Sequence, residues 1–160
     1  MNHPSRAGVT LMELLIVVAL ISLLVGVSFP TVSAGIDTLR LAGAADSIAA
    51  FLNGALNRAE RRQEVVEVSI WRQENRLLLR STTPGFQREL TMPEGIEIAA
   101  VLPELPDQMA GEAGPRRFLL LPGSTAPRVG IVLASARGAR RTVRIDPITG
   151  TPQIEATEQP

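Results

Sequence analysis

The 160-residue chain has no cysteine, no lysine and no tyrosine, and its single histidine is His3. Without cysteine there are no disulfides, no thiolate metal sites and no cysteine nucleophile, a composition that fits an oxidising compartment. Without lysine there is no P-loop. Beyond His3 there is no imidazole for Ser-His-Asp catalysis or for metal ligation. Aromatic residues make up 3% of the chain, leaving few rings on which bases or sugars could stack. Charge of one sign is also missing, because 16 cations, all arginine, balance 16 acids, which excludes a bulk basic tail. The acids Glu94, Glu97, Glu104, Asp107 and Glu112 cluster around a loop, where solvation accounts for them better than acid–base chemistry does. Neither an enzymatic activity nor a cofactor is expected. Disorder is excluded as well, since 45% of residues are hydrophobic. The length suits one compact domain with an additional segment.

The additional segment is N-terminal. Residues 1–8 are polar, and from Val9 to Phe29 the chain reads VTLMELLIVVALISLLVGVSF, 21 residues with one charge, Glu13. As a helix this run is about 31 Å long, enough to cross a hydrocarbon core. A cleaved secretory signal needs a small-residue cut site after its apolar run. Val27-Ser28-Phe29-Pro30 serves poorly, and Ala7 and Gly8 lie before the run instead. A plain signal anchor explains everything except Glu13, since a carboxylate in lipid costs a few kcal/mol unless it is paired or reaches interfacial water.

The run Ala7-Gly8-Val9-Thr10-Leu11-Met12-Glu13-Leu14 resembles the class III signal of type IV pilins and type II secretion pseudopilins. The resemblance implies that a prepilin peptidase of the inner membrane cuts between Gly8 and Val9 and methylates the new N-terminus at Val9, where the family most often has Phe. Glu13 becomes the fifth residue of the mature chain and helps recruit the subunit into a growing filament. Electrostatics supplies the same role independently: with an axial offset between packed subunits, one carboxylate meets its neighbour's α-ammonium, and two charges costly in lipid become one satisfied pair.

After Pro30, where this family commonly bends its helix, the pattern turns amphipathic. Leu41, Ala45, Ile48, Leu52, Ala55 and Ala59 recur at steps of four and three with Leu56 beside them, and Asp46, Asn53, Asn57, Glu60 and Arg61 fill the other faces. Gly54 within this stretch is read as close packing or as nothing. A helix over 9–62 would be about 80 Å long. Strands are expected at Val65–Ile70, Arg76–Ser81, Phe86–Met92, Gly95–Leu102, Arg117–Leu121, Val129–Ala134, Arg140–Ile145 and Gln153–Ala156. The first two should form a hairpin, and the next two a second pair around Pro93-Glu94. Pro103–Pro115 is expected to be an exposed loop and 146–150 a turn. The predicted fold is α+β and pilin-like: a long N-terminal α-helix, transmembrane in its first half, packed on a small antiparallel β-sheet domain. Its parts are a cleaved leader (1–8), a transmembrane and filament-core helix (9–30), an amphipathic helix (31–62) and a periplasmic β domain (63–160).

Segments 39–46, 55–62, 65–70 and Asp146-Pro147-Ile148-Thr149-Gly150 are similar to the GspH/FimT group. That similarity implies a minor pseudopilin of type II secretion, single-pass in the inner membrane with its C-terminal domain in the periplasm, whose partners are other minor and major pseudopilins. Major pseudopilins hold calcium in C-terminal loops. Here Asp146 is alone before Glu155 and Glu158, so no metal site is expected. Between Gly114 and Ile145 lie seven arginines and no acid. Solvated strand edges explain them, while the functional alternative is a partner or nucleic-acid surface carried by Arg137, Arg140, Arg141 and Arg144. Alternation puts Arg140, Thr142 and Arg144 on one face and Arg141, Val143 and Ile145 on the other. A DNA-binding minor pilin of a transformation pilus is the competing reading. That branch carries a Gly-Arg-x-Arg element, from which Arg137-Gly138-Ala139-Arg140-Arg141 departs at Ala139, and zero net charge with few aromatics argues against nucleic acid.

Overall fold

A computed structural model describes residues 10–104 and 114–156, with the backbone alone for 27–34. The chain divides into two compact units, Met1–Ile36 and Asp37–Pro160. One helix, α1 (Leu11–Arg62), begins in the first and ends in the second. Its helical backbone continues through position 30, so the proline there does not end it.

In the second unit α1 is followed by eight strands: β1 (Val66–Trp71), β2 (Arg76–Ser81), β3 (Gln87–Thr91), β4 (Ile96–Leu102), β5 (Arg116–Leu120), β6 (Gly130–Ser135), β7 (Arg140–Ile145) and β8 (Pro152–Ala156). Each lies within one residue of its expected bounds. The fold is α+β with antiparallel pairing throughout, consistent with a pilin-like fold. Of the expected loop at 103–115, residues 105–113 lie outside the described residues, as do Asp107, Glu112 and Glu158.

The β domain divides its antiparallel strands between two four-stranded sheets, ordered β3-β2-β1-β5 and β4-β6-β7-β8. The hairpin β1–β2 forms as expected, from Val66 opposite Ser81 to Trp71 opposite Arg76. The expected pair around Pro93-Glu94 does not form, because β3 and β4 belong to different sheets. The turn at 93–95, with Gly95 at φ 82°, carries the chain from one sheet to the other. Two adjacent strand-like runs look like a hairpin locally, but Pro-Glu is not a turn that favours tight hairpins.

The inner faces of both sheets and one stripe of α1 share a single core. Leu41, Ala45, Ile48, Leu52, Ala55 and Ala59 are all buried, and Ala44 and Phe51 join them, widening the expected stripe. From the sheets come Val66, Val68, Ile70, Leu77 and Leu79, and opposite them Ile131, Leu133, Val143 and Ile145. A bulge in β4 between Ile98 and Ala100 shifts the alternation, so Val101 rather than Ala100 turns inward. Gly54 is exposed, and a Cβ there would meet only Arg88 Nη1 at 3.9 Å, so close packing does not require it.

Helix α1 ends in a Schellman turn. Gln63 adopts φ 53°, the Glu64 N–H donates to the Ala59 carbonyl at 3.3 Å, and the Gln63 side-chain amide donates to the Glu60 carbonyl at 2.7 Å. Glu64 then locks the helix end to the β2–β3 loop. It pairs with Arg58 at 2.6 Å and accepts a hydrogen bond from the Thr83 hydroxyl, while the Arg58 guanidinium stacks 3.3 Å from the centre of the Phe86 ring. The Thr83 hydroxyl first, then Ser81 and Arg58, hold the Glu64 carboxyl below its ordinary value near 4.5, against the opposing effect of burial. A depressed folded-state value means that the unfolded chain binds the proton first on acidification. This contribution to stability is therefore complete above about pH 4.5 and lost as pH falls through the folded-state value. Thermal melts from pH 7 to pH 3 should show Glu64→Gln less stable than wild type at pH 7, with the gap closing in acid. A gap that stays constant with pH would sink this assignment.

Candidate functional site

The first unit carries the residues that the sequence singles out most sharply. Thr10 caps α1: its Oγ1 accepts the Glu13 N–H at 3.2 Å, and its carbonyl accepts the Leu14 N–H at 3.2 Å. Thr10-Leu11-Met12-Glu13 thus has the form of a capping box, with threonine at the cap and glutamate three residues on. Glu13 sits in the first helical turn, where the unpaired N–H groups and the helix dipole favour a negative charge. Thr10 did not figure among the candidate residues, although the T-x-x-E spacing could have found it.

Beyond the cap the helix is apolar on every side. Leu11, Leu14, Leu15, Ile16, Val17, Val18, Leu20, Ile21, Leu23, Leu24 and Val25 are all about half exposed or more. This is no stripe awaiting one partner; a helix apolar all round requires an apolar environment all round. Ser22 satisfies its hydroxyl internally by donating to the Val18 carbonyl at 2.8 Å. Among the described residues, no helix is long and apolar enough to cross a membrane. The part of the run whose side chains are described, 10–26, covers only about 26 Å. Gly8 and Val9 lie outside the described residues.

The second unit sorts the C-terminal arginines. Arg137 forms an ion pair with Asp37 at 3.2 Å. Arg116 donates to the Pro103 carbonyl from both Nη atoms at 3.2 Å, and Arg117 lies 3.9 Å from Glu67. Arg140 and Arg144 are exposed on the outer face of β7, lining one open cavity with Thr142. Arg141 is half-buried, in phase with buried Val143 and Ile145. The structure therefore does not bring Arg137, Arg140, Arg141 and Arg144 to one face. Asp146 is engaged by its own turn: Oδ1 accepts from the Ile148 and Thr149 N–H groups at 2.8 and 3.4 Å, and Oδ2 accepts from Gln153 at 3.2 Å. The Ile148 bond foremost holds its carboxyl below the usual range. Among the described residues no three His, Asp or Glu side chains converge on a common point.

The helix is capped at Thr10, carries an acid in its first turn and is apolar on all sides beyond it. Residues 3–29 match the Prokaryotic N-terminal methylation motif, which is the prepilin-type motif. The match supports a type IV pilin-like or pseudopilin protein, processed by a prepilin peptidase, membrane-anchored and assembled with other pilins. That family is structural rather than enzymatic. No curated protein and no solved structure matches the chain.

Proposed function

We propose that this chain is a minor pseudopilin of the type II secretion pathway, of the GspH/FimT kind, which helps initiate or cap the pseudopilus that drives folded exoproteins across the outer membrane. The observation that carries the reading is the capped, wholly apolar helix with Glu13 in its first turn, directly behind Ala7-Gly8. On this reading the peptidase cuts between Gly8 and Val9 and methylates Val9. The apolar helix anchors the subunit in the inner membrane with residues 63–160 in the periplasm, and Glu13 draws it into the filament. A minor rather than a major subunit accords with Asp146, whose carboxylate oxygens are already taken up by the backbone of its own turn and by Gln153. The competing reading, a DNA-binding minor pilin, loses support because Arg137 is paired with Asp37 and Arg141 lies on the face opposite Arg140 and Arg144.

Deleting the gene and measuring the fraction of exoprotein in the medium tests the secretion role. Accumulation in the periplasm is expected. Normal secretion would overturn it and make DNA uptake the leading reading, to be checked by the salt dependence of DNA binding with Arg140→Ala and Arg141→Ala.

A further inference from the structure

The last turns of α1 place Gly54, Asn57, Arg58, Arg61 and Arg62 at i, i+3, i+4, i+7 and i+8, which is one face of the helix. With Phe86 they line an open cavity of about 390 Å³. Arg88 of β3 borders it, its Nη1 standing 3.9 Å from where a Cβ at position 54 would be. Four guanidinium groups thus surround one groove. Arg58 is engaged by Glu64 and by the Phe86 ring. Arg61, Arg62 and Arg88 are exposed and have no hydrogen bond or ion pair among the described residues.

Local explanations cover these arginines one at a time. The C-terminus of a helix favours cations such as Arg61 and Arg62, and an inward-pointing charge discourages pairing at an edge strand such as β3. Neither requires them to gather around the same cavity, where like charges repel. The neighbouring carboxylates are committed elsewhere. Glu64 turns to Arg58 and Thr83, Glu60 accepts the Gly123 N–H at 3.0 Å, and Glu89 faces Arg76 at 3.5 Å. A groove with an excess of cations and, among the described residues, no uncommitted counter-anion is built for an anion from outside.

We propose that this groove docks an acidic segment of a neighbouring subunit, whose Asp and Glu side chains pair with Arg61, Arg62 and Arg88. The proposal rests on the filament reading for the identity of the neighbour, while the preference for carboxylates follows from the groove alone. Guanidinium forks take carboxylates two bonds at a time, and a cavity of this size admits a few side chains. Nucleic acid fits less well, because among the described residues Phe86 is the only ring lining the groove and Arg58 already covers one face of it, leaving little platform for a base.

The test uses the full chain in a non-ionic detergent and fluorescence anisotropy with two labelled probes of similar charge, a hexaglutamate peptide and a hexathymidylate strand. The peptide should bind, more weakly as salt rises, and Arg61→Glu and Arg88→Glu should each weaken it about tenfold or more. Arg61→Lys should retain most of the binding, and Arg140→Glu should leave it unchanged. All three positions are exposed, and far-UV circular dichroism checks that each variant keeps its helix. Failure of the peptide to bind would overturn the proposal, as would equal losses in Arg140→Glu or tighter binding of the oligonucleotide. The gene-deletion experiment separates this from the secretion role. Peptide binding without a secretion defect upholds the groove and overturns that role, and a secretion defect without peptide binding does the reverse.

Discussion

Glu13→Gln is expected to leave removal of residues 1–8 intact while cutting incorporation into filaments roughly tenfold or more. The choice of glutamine separates two physical roles. Glutamine serves in a capping box as well as glutamate does, so the helix start held by the Thr10 hydroxyl at 3.2 Å should persist. What glutamine cannot supply is the negative charge. Cleavage after Gly8 would leave an α-ammonium one residue before the Thr10 cap, at the positive end of the helix dipole, where a cation is unwelcome. An uncompensated charge in hydrocarbon costs about 3 kcal/mol, and a neighbour's carboxylate is the available relief. Thr10→Ala is the complementary variant, weakening the cap by about 1 kcal/mol while keeping the charge, and should still assemble. The measurement is the ratio of the subunit in sheared filaments to the processed subunit in membranes. Normal assembly of Glu13→Gln together with a defect in Thr10→Ala would mean that position 13 matters only through the helix cap and not through its charge.

Asn75→Ala should be the most damaging substitution at any exposed turn of the β domain, costing about 2–4 kcal/mol. Two effects combine at this position. Asn75 adopts φ 48°, a left-handed conformation that asparagine tolerates and alanine adopts at a cost of about 1–2 kcal/mol. Its Oδ1 also accepts the Ile98 N–H at 2.8 Å, and without it that amide, in a buried residue of β4, is orphaned at about 1–3 kcal/mol. The bond joins the β1–β2 turn of one sheet to the first strand of the other, while the Asn75 carbonyl accepts the Met92 N–H at 2.8 Å. In thermal unfolding of residues 37–160, which contain the entire core, Tm should fall by about 10 °C. Asn75→Gly should fall less, because it removes the strain but not the orphaned amide, and Asn75→Asp should stay close to wild type. An alanine variant as stable as the aspartate variant would refute the account.

The contrast between Glu13 and Asn75 reflects how far each kind of information travels along the chain. Glu13 stood out because its surroundings are contiguous: an apolar run, one acid, and a small residue and glycine before it. The α1 stripe was readable for the same reason, since a period of 3.6 is carried by neighbouring residues. Even there the expected stripe lacks Ala44 and Phe51, which are buried because the core against α1 draws on both sheets. Asn75 carries no such local signal, since the partner of its side chain is 23 positions away.

The arginines follow the same division. From composition alone the run between Gly114 and Ile145 looked like the basic feature of the chain, yet folding assigns Arg137 to Asp37, Arg116 to the Pro103 carbonyl and Arg141 to the opposite side of β7. The basic groove lies instead where Arg58, Arg61 and Arg62 of α1 meet Arg88 of β3, residues that no window of sequence shows together. What could be read from the linear chain is what neighbouring residues encode: the cleavage motif, the helix and its buried stripe, and the bounds of the strands. Which strands share a sheet, how β4 slips at Ala99, and which charges end up paired or crowded were settled by long-range packing. The alternation of a strand specifies the face each side chain occupies but leaves open which partner lies alongside.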